Sequence, residues 1–113
     1  MNPPSDVPEL SATELKSRLD NGDAPVLVDV REHFERRIAD LPEQGQLRIP
    51  TGEFMARYKE IDPKGEVVIY CRSGNRSAWA AKLLLDRGYE RVFNLTGGVL
   101  AWREEVDPTL QAY

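Results

Sequence analysis

The chain contains little cysteine and little histidine: Cys71 and His33 are the only examples among its 113 residues. A single cysteine cannot form an internal disulfide, so neither the fold nor its stability requires an oxidising compartment. The chain also lacks a basic segment followed by an apolar run at its start, and it lacks an apolar stretch long enough to span a membrane. We therefore expect a cytoplasmic protein with no membrane partner.

The chain also has fewer basic than acidic residues. Lysine and arginine number 15 against 19 aspartate and glutamate residues, which gives a formal net charge of -4. Because nucleic-acid binding requires an extended basic face, this balance argues against nucleic acid as a partner, although it does not exclude a local basic pocket. The length suits one domain over residues 1–113, with surface tails expected at about 1–8 and 106–113.

Apolar strand patterns alternate with helical patterns along the chain. A run rich in valine predicts a buried strand from Val26 to Val30, and the segments LRIP, EVVIY and RVFNL predict three more. Because the main strands are apolar throughout and helices separate them, we expect a mainly parallel sheet covered on both faces. The predicted fold class is α/β, with the architecture of a three-layer α/β/α sandwich.

Five segments have helical patterns. The first begins at a capping box formed by Ser11 and Glu14, and it has Leu10, Leu15 and Leu19 at helical spacing. The other four predicted helices are REHFERRIADL, TGEFMARYKEI, SAWAAKLLLDRG and TGGVLAWREEV. Together with the strands they leave no room for a second folding unit, and the chain shows no internal repeat.

The cysteine directly follows the predicted strand EVVIY and opens the loop CRSGNRS. In open α/β sheets, ligand sites form at the carboxyl ends of strands, where loops lead into helices. If Ser77 caps the next helix, the loop amides and the positive end of that helix converge on the hollow that holds the sulfur of Cys71. Such a cradle would stabilise a thiolate, which is the nucleophilic form of the side chain.

The rest of the loop supports this interpretation. Gly74 supplies the positive φ that a tight loop needs, and Arg72 and Arg76 offer an anionic substrate charge-assisted hydrogen bonds. A lone cysteine after a buried strand is usually a small core residue, but a core residue would have apolar neighbours rather than RSGNRS. No metal or cofactor is expected. We take Cys71 as the candidate catalytic residue, and the candidate substrate-binding residues are Arg72, Ser73, Gly74, Asn75, Arg76 and Ser77.

Three motifs occur in a fixed order: DVRE from Asp29 to Glu32, the loop CRSGNRS, and N-L-x-G-G-x-x-x-W from Asn94 to Trp102. Together they resemble the single-domain rhodaneses, a family of sulfurtransferases, over about residues 10–102. The resemblance implies that Cys71 attacks the outer sulfur of a donor such as thiosulfate. It further implies that the sulfur is held as a persulfide and passed to cyanide, a thiol or a protein, which is two-step covalent catalysis.

The length of the loop bears on which chemistry it performs. Four residues separate Cys71 from Arg76, whereas the cysteine phosphatases that resemble rhodaneses have five. The tighter loop favours sulfur transfer over phosphatase or arsenate reductase activity, and the presence of the cysteine disfavours a purely regulatory domain. Basic loop residues resemble those of the thiosulfate users. The expected partners are thus a small anionic sulfur donor and a protein that gives or accepts sulfur.

A second function remains open at this point. The chain is also interpreted as a relay module that serves a desulfurase or a sulfur-carrier protein, with thiosulfate turnover only incidental. In that case Arg36 and Arg37 could form part of a basic rim where the protein partner docks, and Trp79 could contact the partner near the mouth of the loop. Pairs such as Arg36 and Arg37 are more often merely solvated, and helix packing explains Trp79 at least as well as a partner contact does.

Residues outside the loop receive structural interpretations. We expect Asp29 and Arg31 to pair beneath the site, and Trp102 to pack in the core. His33 is expected to be an exposed residue of a polar helix, because the proposed chemistry needs no general base. The apolar face of that helix is predicted to carry Phe34 together with Ile38, four residues apart.

Overall fold

The computed structural model describes residues 6–113, so most of the tail expected at residues 1–8 lies outside the described residues. Within that range the chain forms five strands and four α-helices, with 3-10 helices at His33–Arg37 and Tyr58–Glu60. None of these helices combines the length and apolar character needed to cross a bilayer. In chain order the elements are β1 (Glu9–Leu10), α1 (Ala12–Asp20), β2 (Val26–Asp29), β3 (Leu47–Arg48), α2 (Thr51–Arg57), β4 (Val67–Tyr70), α3 (Asn75–Asp86), β5 (Val92–Leu95) and α4 (Gly98–Glu105).

The five strands form one parallel sheet in the order β1-β5-β4-β2-β3. Helices α2 and α3 pack on one face of the sheet, and α1 and α4 pack on the other. Parallel strands need crossover connections, and the helices that make these connections cover both faces. The predicted three-layer α/β/α sandwich with a mainly parallel sheet is therefore confirmed.

The central strand β4 shows why its sequence is apolar at every position. Val67 and Ile69 contribute to the core beneath α2 and α3, whereas Val68 and Tyr70 contribute to the core beneath α1 and α4. This division follows from the alternation of side chains across a strand. Cys71, the next residue, continues the first series and faces the α2–α3 layer.

The amino-terminal boundary of α1 corrects one expectation. The capping box of Ser11 and Glu14 is present as predicted. Leu10 lies before this cap and belongs to β1, where it is aligned with Leu95 of β5, so its assignment to the helix was wrong. The reason is that the N-cap residue Ser11 has an extended backbone, so α1 starts only after it. The residues before Ser11 can therefore join the edge of the sheet.

A second correction concerns the predicted polar helix REHFERRIADL. Its regular part is a five-residue 3-10 helix, and the buried residue on it is Glu35 rather than Phe34, which is 63% exposed. In a 3-10 helix the residues that share a face are three apart, so a pairing four residues apart does not describe its packing. The inward-facing side chain is therefore a carboxylate.

The start of α4 is docked on the loop that follows β4. The amide of Val99 donates to the carbonyl of Cys71 at 2.9 Å, and the amide of Leu100 donates to the carbonyl of Arg72 at 3.0 Å. First-turn amides have no partner inside their own helix, so these two bonds satisfy both elements. Gly98 makes the approach possible: its φ is 58°, and a Cβ there would lie 2.3 Å from the carbonyl oxygen of Cys71.

We predict that Gly98→Ala lowers the free energy of unfolding. The strained backbone alone should cost about 1–3 kcal/mol, and the clash of the new Cβ with the loop should add to that cost. Urea unfolding measures the change. The matched control is Gly52→Ala in α2, where a Cβ would meet nothing within 4 Å. This control should leave stability unchanged or raise it by up to about 1 kcal/mol, since alanine is the better helix former. Equal effects of the two substitutions would contradict the docking described above.

Candidate active site

The sulfur of Cys71 lies at the carboxyl end of the central strand, within hydrogen-bonding distance of three possible donors. The donors are the Gly74 amide at 3.1 Å, the Ser77 amide at 3.4 Å and the Ser77 hydroxyl at 3.3 Å. The residue is only 1% exposed, so these contacts form in a site that is almost closed to solvent. Donors aimed at one atom stabilise negative charge on it, and here that atom is sulfur.

The path of the loop differs from the sequence interpretation at its end. Helix α3 begins at Asn75 with Gly74 as its N-cap, so Ser77 lies inside the first turn and is not the cap. Gly74 has a φ of 105°. This left-handed residue turns the chain sharply enough for the helix to start at once, which is why both the amide and the hydroxyl of Ser77 reach the sulfur.

Asn94, on β5, holds the loop from the adjacent strand. Its Nδ2 donates to the carbonyl of Gly74 at 3.1 Å, and its Oδ1 lies 2.5 Å from the hydroxyl oxygen of Ser77. A hydroxyl has one proton, so Ser77 donates either to Asn94 or to the sulfur of Cys71. With a thiol it can donate to Asn94 and accept from the S–H group, and with a thiolate it can donate to the sulfur. The motif N-L-x-G-G contained Asn94, but the sequence did not reveal this contact.

Arg76 is held by a buried carboxylate. Its Nη1 and Nη2 donate to Glu35 at 2.8 and 3.0 Å, and the Glu35 carboxylate also accepts the amide of Glu32 at 2.9 Å. Burial raises the pKa of Glu35, but the hydrogen bonds from Arg76, Glu32 and Tyr113 outweigh this effect and lower that pKa to about 2. The charge of Arg76 is therefore matched by Glu35 at neutral pH.

Glu35 is a site residue that the sequence interpretation missed. One local signal was available, because Glu32 and Glu35 have the three-residue spacing of a capping box and their contacts have that form. That spacing indicates that the Glu35 carboxylate folds back onto its own turn. Its pairing with Arg76 joins residues 41 positions apart, for which the sequence has no corresponding signal.

Arg72 is contacted by Tyr113. Its Nη2 donates to the backbone oxygen of Tyr113, and its Cζ lies 5.2 Å from the centre of the tyrosine ring. The phenol of the same tyrosine donates to Glu35 at 3.0 Å and accepts from Nη1 of Arg31 at 2.9 Å. Residues 106–113 were expected to form a surface tail. They are half-buried or exposed, and Tyr113 folds back over the loop.

A buried group of charges lies beside this tyrosine. Arg31 pairs with Asp29 through two hydrogen bonds of 2.9 and 3.0 Å, as expected, and also with Asp40 at 2.9 Å. Arg48 pairs with the same two carboxylates at 2.7 and 2.8 Å. Burial lowers the pKa of Arg31, but the hydrogen bonds to Asp29 and Tyr113 raise it overall. Arg31 therefore stays charged and fixes both the end of β2 and the phenol of Tyr113.

The remaining candidate residues lie at the surface around the loop. His33 is exposed, as predicted, and with Phe34, Arg36 and Arg37 it lines a shallow depression of about 420 Å³. The side chains of Ser73 and Asn75 are also exposed. The structure therefore brings Cys71, Gly74 and Ser77 together and leaves the other two polar loop residues at the rim.

The two tryptophans have different environments. Trp102 is fully buried in the core beneath α4, which confirms the prediction for it. Trp79 is 37% exposed and lies one turn after Arg76 on α3, where its ring makes an edge-to-face contact with Phe54 at 6.2 Å. Helix packing therefore accounts for one side of Trp79, and its other side faces solvent.

Residues 11–105 match the family model of the Rhodanese-like domain. The chain belongs to this family. It is 40% identical over 96 residues to a sulfurtransferase of Allochromatium vinosum, an alignment that covers 85% of this chain and 88% of that protein. This rhodanese also resembles the human single-domain sulfurtransferase TSTD1, with a TM-score of 0.72 and 29% identity over 88% of this chain and 97% of that one.

A further relative has a longer chain. The putative sulfur carrier protein YrkF of Bacillus subtilis is 35% identical over 98 residues, which cover 87% of this rhodanese but 52% of YrkF. The chain therefore spans about half the length of that relative. The resemblance to rhodaneses inferred from DVRE, CRSGNRS and N-L-x-G-G-x-x-x-W is confirmed by these comparisons.

We predict that Glu35→Gln destabilises the rhodanese at pH 7 by about 1–2 kcal/mol. This cost is smaller than the cost of breaking a fully buried ion pair, because the partner Arg76 is half-buried. Since folding lowers the pKa of Glu35 from 4.5 to about 2, the ionised carboxylate stabilises the fold above pH 4.5. That contribution is lost as the pH falls from 4.5 to 2, because the unfolded chain takes up the proton first. Urea unfolding of both proteins across this range should show the difference shrinking.

The control for this measurement is Glu104→Gln. Glu104 is exposed on α4 and makes no ion pair among residues 6–113, so its substitution should change stability little at any pH. A Glu35→Gln effect that stayed constant between pH 7 and pH 2 would show that the carboxylate charge does not stabilise the fold.

Proposed function

We propose that this rhodanese is a sulfurtransferase that carries a sulfane sulfur as a persulfide on Cys71. The observation that carries the proposal is the convergence of three donors, from Gly74 and Ser77, on one cysteine sulfur. A sulfur-transfer or sulfur-carrier function is supported by membership of the rhodanese-like family and by the names of its relatives. The persulfide and the identity of the donor are the steps that need a direct test.

The proposed reaction has two displacements. In the first, the Cys71 thiolate attacks the outer sulfur of thiosulfate, so that a bond forms between the two sulfurs while the bond to the sulfonate sulfur breaks and sulfite leaves with the electron pair. In the second, a nucleophile such as cyanide attacks the outer sulfur of the persulfide, and the thiolate of Cys71 leaves. No redox partner is required, and the donors from Gly74 and Ser77 stabilise the anionic sulfur at the start and end of the cycle.

Thiosulfate is the small-molecule donor that we assign to this site, and Arg72 is the residue that we assign to its sulfonate. The sequence interpretation gave this role to Arg72 and Arg76 together, but the charge of Arg76 is matched by Glu35. Arg72 pairs with no side-chain carboxylate within residues 6–113, so of the two loop arginines it is the one whose charge is not matched by a carboxylate side chain. Guanidinium and sulfonate groups form paired, charge-assisted hydrogen bonds.

Intact-mass measurement tests the persulfide. After incubation with thiosulfate and removal of excess reagent, the protein should gain the mass of one sulfur atom, and cyanide should remove it. Cys71→Ser should show no gain, since Cys71 is the only cysteine in the chain. An unmodified wild-type protein under these conditions, and also after incubation with a persulfide-loaded desulfurase, would refute the proposal.

A relay function is the second candidate, and one surface feature favours it. Phe34 is a large apolar side chain that is 63% exposed, and it adjoins Glu35, which holds the loop residue Arg76. Its neighbours Arg36 and Arg37 make no ion pair within residues 6–113. An exposed aromatic residue flanked by unpaired cations fits a protein donor with an acidic, partly apolar surface. The name of the carrier relative YrkF supports a protein partner in general.

If the relay function holds, Phe34→Ala should slow sulfur transfer from a persulfide-loaded cysteine desulfurase by about tenfold, the effect of losing one interface anchor. Thiosulfate turnover should stay unchanged. The matched control is Val26→Ala, because Val26 is also exposed, at 41%, but lies at the opposite end of the sheet, where β2 begins. Equal losses with both donors, or no loss with the protein donor, would reject this docking surface.

A further inference from the structure

Tyr113 contacts groups that belong to both arginines of the active-site loop. At one end its backbone oxygen and ring contact the guanidinium of Arg72. At the other end its phenol donates to Glu35 at 3.0 Å, and Glu35 holds Arg76. A single residue therefore reaches from one loop cation to the carboxylate that holds the other. A small anion that binds Arg72 would have to share this guanidinium with Tyr113.

The position of Tyr113 is fixed by contacts outside the loop. Arg103 of α4 donates to the carbonyl of Leu110 at 2.7 Å, and Leu110 and Tyr113 both pack against the core beneath α1 and α4. Arg31 donates to the phenol at 2.9 Å. Burial raises the pKa of the Tyr113 phenol, so this group keeps its proton and can donate to Glu35. Tyr113 is therefore placed by the fold itself.

The contacts that Tyr113 makes are of the same type as those of an oxyanion. The backbone oxygen of Tyr113 accepts a hydrogen bond from Nη2 of Arg72, and the tyrosine ring covers the face of the guanidinium. A sulfonate or carboxylate that binds Arg72 needs the same N–H groups. The other loop cation offers no alternative, because Arg76 already pairs with Glu35 through two hydrogen bonds.

We propose that Tyr113 is a specificity-determining residue that competes with small oxyanions for Arg72 and so restricts their access to Cys71. Anionic reagents must displace the tyrosine from Arg72, whereas uncharged reagents have no need of that cation. The proposal rests on the proposed function in one respect, namely that Cys71 is the reactive residue. It adds that the site selects donors by charge, through a residue outside the loop.

Alkylation of Cys71 tests this competition without requiring sulfur transfer. Iodoacetate and iodoacetamide attack by the same displacement of iodide and differ in charge, and intact mass follows the reaction of the only cysteine. Tyr113→Ala keeps the backbone oxygen but removes the ring over Arg72 and the phenol contacts that hold the residue there. The ratio of the iodoacetate rate to the iodoacetamide rate should therefore rise by about fivefold, the effect of weakening one charged hydrogen-bonding contact. The KM for thiosulfate should fall by a similar factor. Gln111→Ala, an exposed residue of the same segment, should change neither value.

The double variant Arg72→Ala/Tyr113→Ala identifies the group for which Tyr113 competes. Without Arg72, removal of the tyrosine should leave the rate ratio unchanged, because the two residues act through one contact. The proposal is overturned if the ratio stays constant or falls in Tyr113→Ala, if both reagents accelerate equally, or if the ratio rises as much without Arg72. The alkylation ratio remains measurable in a protein that transfers no sulfur, so failure of the proposed function and failure of this inference give different results.

A conservative variant covers the case in which Tyr113→Ala does not fold, which thermal unfolding will show. Tyr113→Phe keeps the ring and loses the hydrogen bonds to Glu35 and Arg31. Its rate ratio should lie above the wild-type value, because the ring loses the two hydrogen bonds that help to hold it over Arg72. A ratio at or below the wild-type value would count against the competition.

Discussion

The active site depends on the orientation of the peptide groups in a loop of four residues between Cys71 and Arg76. The amides of Gly74 and Ser77 are directed at the sulfur, whereas the carbonyls of Cys71, Arg72 and Gly74 are directed at partners outside the loop. Those carbonyls need donors. Asn94 supplies one to Gly74, and the first-turn amides of α4 supply the others to Cys71 and Arg72. The conformation that holds the sulfur is therefore maintained by groups that never touch it.

This constraint explains why glycine stands at two positions. Gly74 takes the left-handed conformation that closes the loop, and Gly98 lets the start of α4 approach the loop carbonyls to a distance that excludes any Cβ. The charged groups are arranged around the same loop. Glu35 balances Arg76, and Tyr113 contacts Arg72, so each loop cation is held by a residue from another part of the chain. The site is polar and enclosed, and its charges are positioned before any substrate enters.

The parts of this arrangement that follow local rules could be predicted from the sequence. The apolar run of β4 predicted a strand covered on both faces, and the position of Cys71 after it predicted a site at the end of the sheet. The contacts between distant segments could not be predicted. Nothing in the sequence pairs Glu35 with Arg76 or Tyr113 with Arg72, because these contacts depend on how separate turns meet above the sheet. Ser77 shows a subtler limit: its residue type suits an N-cap, but the left-handed Gly74, three positions earlier, is the N-cap.

The docking of α4 on the loop has a consequence for how the protein is made. The donors that hold the loop carbonyls come from Asn94, Val99 and Leu100, all of which are synthesised after Cys71. A nascent chain that has emerged only as far as α3 therefore carries an ordinary cysteine in a loop without support. Because chains fold from the amino terminus as they are translated, the cradle for the sulfur is among the last features to form. The support for the loop around the thiol is thus complete only when the domain is complete, because its carbonyls find their donors in the last strand and the last helix.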